Sequence, residues 1–114
     1  MKIHKIVTGP GEEVLAKTTQ YCQQHDIKNA AIVSIVGAFD TSRIHTMQTS
    51  DAKQTVMTTI NEPVELSGTG EVVDGTVHIH AVLSCENGKT LSGHLEWGKV
   101  ESWFAHVYVA PLED

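Results

Sequence analysis

The sequence predicts an α+β domain in which antiparallel strands dominate and one main helix near the N-terminus packs on them. Three observations carry this. Val14, Leu15, Thr18, Tyr21 and Cys22 recur at helical spacing, and no other segment keeps that period so clearly. Ala30 to Val36, AAIVSIV, is a nearly unbroken run rich in β-branched residues. From Val64 onward, short strand-like runs are separated by Asp74-Gly75 and Asn87-Gly88, dipeptides that close hairpins.

Lys2 to Thr8 predicts a short first strand, broken by Gly9-Pro10-Gly11. Pro10 and the acidic pair Glu12-Glu13 suit a first helical turn, and the helix is expected to run to about His25. AAIVSIV is expected to be a strand buried on both faces and ended or bent at Gly37. Thr41 to Met47 and Gln54 to Ile60 are weaker strands on either side of the polar TSDAK segment. Asn61-Glu62-Pro63 breaks the chain again. The strands VELSGTGEVV, TVHIHAVLS, TLSGHLEW and SWFAHVYVA follow. No internal repeat or linker is present, so residues 1–114 form a single domain.

Composition narrows the function. Eight basic against fourteen acidic residues give a net charge of −6, with Arg43 the one arginine. DNA binding leans on Lys and Arg at phosphates, so it is not expected of the isolated chain. Cys22 and Cys85 do not form a Cys-x-x-Cys pair and are expected to be reduced thiols. MKIHKIVTGP lacks the apolar core of a signal peptide, and no apolar run approaches the roughly 20 residues of a membrane span. A cytoplasmic protein is expected.

Three of the seven histidines lie in VHIHAVLSCENGKTLSGHLEWG. In Val77 to Leu83 the odd positions are apolar, and His78 and His80 are even. In Leu91 to Trp97 the odd positions are apolar or Gly, and His94 and Glu96 are even. Opposed residues share a face, so the hairpin must match odd with odd. A type I turn at Glu86-Asn87, with Gly88 as a left-handed bulge residue, opposes Cys85 with Lys89 and achieves this. Leu83 then meets Leu91, Ile79 meets Leu95, and Val77 meets Trp97. On the polar face His80 meets His94, and His78 meets Glu96.

Three imidazoles and a carboxylate on one face of one hairpin are one way to build a zinc site with an open position. The competing reading is three solvated histidines on an exposed strand face. His106, on an even position of the last strand, joins this face if that strand lies beside His94. His4, His25 and His45 have no partner pattern and are expected at the surface. No phosphate loop, nucleophile elbow or Ser-His-Asp order occurs.

The segments GEEVLAKTTQYCQQHDI, AAIVSIVGAF, VELSGTGEVVDG, HIHAVLSCENGKTLSGHL and AHVYV together resemble the plants-and-prokaryotes conserved domain, in its stand-alone bacterial form. The resemblance implies a homotrimer built on antiparallel sheet, with histidines near subunit boundaries. A more distant architectural likeness to acetolactate decarboxylase, which is similar in holding zinc with a His-x-His pair and a later His, implies His78, His80 and His94 as zinc ligands. Two departures stand out. Ser92-Gly93-His94-Leu95 replaces the family's frequent Gly-Gly-His-Leu, and His106 stands where relatives often carry Glu. The AT-hook of the plant proteins is absent.

The first functional expectation is therefore a trimeric zinc-binding protein, a hydrolase or lyase acting on a small molecule. Glu96 is there an orienting residue or general base, and His106 a proton carrier. The alternatives are a non-catalytic DNA-binding or regulatory module, and a structural trimer with unliganded histidines.

Overall fold

The computed structural model describes residues 2–113. Nine strands form one sheet: β1 (His4–Thr8), β2 (Glu12–Glu13), β3 (Ala30–Phe39), β4 (Thr41–Gln48), β5 (Asp51–Ile60), β6 (Val64–Val73), β7 (Thr76–Ser84), β8 (Thr90–Val100) and β9 (Ala105–Pro111). The helix α1 spans Val14–Gln24. All pairings are antiparallel, in the order β1-β9-β3-β6-β7-β8-β4-β5, with β2 attached to β8. The expected α+β class and its single main helix hold.

The helix starts later than expected. Pro10 and Glu12 lie outside it, and Glu13 is its N-cap, accepting from the Leu15 and Ala16 N–H groups. The same carboxylate accepts the Gly98 N–H, which ties the helix start to β8. Val14, Thr18 and Cys22 face the core, and the helix lies against β1, β7 and β8.

The core occupies the helix side of the sheet: Ile6, Val107, Ile35, Leu66, Leu83, Leu95 and Ile44 come from seven different strands. Phe39 closes one end, fully buried with its ring against Gly98; a Cβ there would lie 2.5 Å from the ring.

Further expectations are corrected. AAIVSIV is buried on one face only, since Val33 and Val36 are about half exposed, at 47% and 52%. An extra residue near Val33 breaks the alternation, because Ile32 and Ile35 pair with Gly70 and Gly68. That bulge lets two isoleucines three positions apart both point inward. Gly37 does not end the strand, which runs on to Phe39; a Cβ at Gly37 would lie 2.1 Å from the Phe104 carbonyl oxygen.

The second correction concerns the Glu86–Gly88 turn. It places Asn87 as well as Gly88 in the left-handed region, at φ 63 and 80. Asn tolerates this, so the expected Cys85–Lys89 closure forms by a different turn, with the Cys85 N–H donating to the Lys89 carbonyl. At Asp74-Gly75 both residues also take positive φ, as a two-residue hairpin turn requires.

The last strand begins at Ala105, because Glu101 and Ser102 are held by Asp40 instead. The Asp40 carboxylate accepts the Ser102 hydroxyl and the Ser102 and Glu101 N–H groups, which in that order lower its pKa below the ordinary carboxylate value. A depressed folded pKa gives stability that is present above the unfolded value of 3.8 and lost as pH falls through the folded one. Asp40→Asn should therefore lower the urea midpoint at pH 7, and the gap from wild type should close below pH 3.8. A gap that persists unchanged in acid would show that the carboxylate charge plays no part.

Candidate metal centre

On β7 the residues Ile79, Ala81 and Leu83 are buried, so His78 and His80 must point to the other face. The β7–β8 register sets His80 opposite His94 and Leu83 opposite Leu91, as the sequence predicts. His78 Nε2 lies 3.0 Å from His94 Nδ1. The His78 and His80 ring centroids are 4.8 Å apart, and those of His80 and His94 5.9 Å. One ring nitrogen from each of the three lies within 4.8 Å of the others.

Two nitrogens on one tetrahedral zinc, at bonds of 2.0–2.1 Å, sit about 3.3 Å apart. The His78–His94 approach is close to that spacing, and a small ring rotation would bring His80 onto the same ion. The donor set therefore fits a transition metal. Burial, then the neighbouring His45 and His78, push the pKa of His94 below the ordinary imidazole value. Its ring is neutral near pH 7, the form a metal requires.

A fourth imidazole joins them. The β4–β8 register places His45 directly opposite His94, with the rings stacked at 4.0 Å. The expectation that His45 is an isolated surface residue is thereby corrected. A Cβ on Gly93 would lie 2.7 Å from the His45 carbonyl oxygen, so only glycine lets β4 approach this closely.

Glu96 reaches the site through a bulge. Ile44 pairs with Leu95 and Arg43 with Trp97, which leaves Glu96 as the extra residue on β8. Its carboxylate accepts from His45 Nδ1. The β7–β8 ladder stops at His80–His94, so Glu96 serves His45 and does not pair with His78 as expected. His45, His94 and Glu96 also offer three donor atoms within 4.8 Å of one another.

His106 sits elsewhere. It is opposite Val7 and Val36 and stacks on Phe104 at 4.1 Å, with β3 and β6 between its strand and β7. Beside the imidazoles the outer face opens into a groove of about 890 Å3.

Residues 1–113 match the family model of the Plants and Prokaryotes Conserved (PCC) domain. The chain belongs to this family. Its fold agrees with those of solved relatives of the PCC domain. A plant- and prokaryote-conserved protein from Pyrococcus horikoshii is 24% identical with a TM-score of 0.88, covering 100% of this chain and 80% of that one. A metal-containing protein from Archaeoglobus fulgidus is 25% identical with a TM-score of 0.87, covering 99% and 81%. A candidate DNA-binding protein from Bacteroides thetaiotaomicron is 17% identical with a TM-score of 0.84, covering 98% and 80%. Among curated proteins none matches.

Within this PCC domain, His45 is the residue that sequence reasoning missed. Alternation alone would have turned it outward, since Ser42 and Ile44 are buried. What alternation lacks is the identity of the neighbouring strand: β4 reaches β8 without a hairpin, from about fifty residues away.

Proposed function

We propose that this PCC-domain protein is a homotrimer that binds a transition metal, zinc by preference, and works on a small molecule in the adjoining groove. The convergence of His78, His80 and His94 carries this reading. Imidazole donors suit zinc, and three of them keep the fourth position open. Zinc so held polarises a carbonyl or lowers the pKa of a bound water to about 7, the chemistry of a hydrolase or lyase. Glu96, by accepting the His45 Nδ1 hydrogen, leaves His45 Nε2 as that ring's one acceptor nitrogen. The similarity to a metal-containing archaeal relative supports the metal. Net charge of −6 and exposed Glu65 and Glu71 on the histidine face weigh against a nucleic acid.

The β4–β5 hairpin supports the trimer. Every β5 residue from Asp51 to Thr59 is exposed, Val56 and Met57 included. A strand with apolar side chains on both faces and nothing beneath either is suited to docking on another copy of the chain. The mass in solution should be three times the chain's 12.4 kDa. A monomer at micromolar concentration would overturn this part.

Elemental analysis of untagged protein tests the metal. About one zinc per chain is expected, and His80→Ala should remove most of it. Zinc at one hundred times its dissociation constant should raise the stability of metal-free protein by about 2.7 kcal/mol. His106→Ala should leave the metal content unchanged. Folded protein that ignores added zinc would overturn the reading.

A further inference from the structure

The groove beside the imidazoles has an unusual lining. Val33, Met47 and Val82 give it apolar walls, and Ser67, Thr69 and Ser92 supply neutral hydroxyls. Among the described residues, no Lys, Arg, Asp or Glu side chain lines it. The nearest charges in the register lie outside the lining: Glu71 pairs with His78 across β6–β7, Glu96 sits beside His45, and Arg43 stands two positions before His45 on β4. Its volume falls within the roughly 300–1,000 Å3 of small-molecule pockets.

We infer that this groove selects a small ligand with an oxygen-donor head for the metal and an uncharged, short aliphatic arm, to be laid against Val33 and Val82. The inference rests on the metal reading above and adds the ligand class to it. A second negative charge on the arm, laid against Val33 and Val82, would lose its hydration with no Lys or Arg in the groove lining to replace it, and would lie near Glu71. A neutral arm loses little, and it covers two valines that are 47% and 44% exposed. The polar atoms of the head that do not reach the metal find the hydroxyls of Ser67, Thr69 and Ser92. Polyphosphates and dicarboxylates are disfavoured by the same reasoning.

Cobalt-loaded protein provides the test, because the visible spectrum of cobalt reports any ligand reaching it. The probes are isobutyrohydroxamate and succinic monohydroxamate, which share a head and differ in the charge of the arm, with pyrophosphate as a third. The neutral arm should bind at least about tenfold more tightly than the charged one. Val82→Lys and, separately, Val33→Lys should erase that preference while cobalt content and melting temperature stay at wild-type values. Equal affinities in wild type, tight pyrophosphate binding, or a preference that survives both substitutions would overturn the ligand class alone. Cobalt content in the same samples separates the two failures: a folded chain that takes up no cobalt overturns the metal reading and this inference with it.

Discussion

His94→Ala should deprive the protein of its metal more completely than any other single substitution. His94 belongs to both donor groups, with His78 and His80 on one side and His45 and Glu96 on the other. Replacing it removes a ligand and also the ring on which His45 stacks. Outer partners of metal ligands are worth roughly 10–100-fold in affinity, and a ligand itself should exceed the top of that range. His45→Ala should fall within the range, since the three remaining imidazoles still converge. Zinc titrations of the two variants and wild type will give the order. Because His94 is only half-buried, metal-free His94→Ala should stay within about 1 kcal/mol of metal-free wild type. Equal zinc affinity in wild type and His94→Ala would remove His94 from the site.

Phe39→Ala should be the costliest core substitution, at about 3–5 kcal/mol. The ring is 1% exposed and fills the space above Gly98, so removing it leaves a cavity that the sheet cannot close. Against a typical total stability of about 5–15 kcal/mol, this brings the protein near unfolding at 37 °C. Gly98→Ala acts on the same contact from the other side, by overpacking, at about 1–3 kcal/mol. Combining Gly98→Ala with Phe39→Leu should cost less than the sum, because the smaller side chain makes room for the new methyl. Urea unfolding of the four proteins checks this; strict additivity would show that the two residues are not coupled.

Much of the site was legible because it lies within one hairpin. Alternation in TVHIHAVLS and TLSGHLEW fixed which residues share a face, and matching apolar positions fixed the register, so His80 and His94 fell opposite each other. Alternation is a local property, and it failed wherever an extra residue entered a strand. The bulge at Glu96 sent a carboxylate to β4 instead of β7, while AAIVSIV proved one-faced because the helix covers one side of the sheet and leaves Val33 and Val36 about half exposed. His45 was missed for another reason. Its place depends on which distant strand lies alongside, and that is decided by the packing of the whole sheet.

The strand order has a kinetic consequence. The imidazoles hang on β7, β8 and β4; β7 and β8 are joined by a short hairpin, whereas β4 pairs with β8 across about fifty residues of chain. Long-range pairing of this kind closes late, because loop entropy must be overcome before the contacts form. The full four-imidazole cluster therefore completes late, whereas His78, His80 and His94 share one local hairpin and can meet an ion before β4 docks. Added metal should therefore speed refolding as well as slow unfolding, which makes the ion a clasp on the hairpin that the rest of the sheet builds upon.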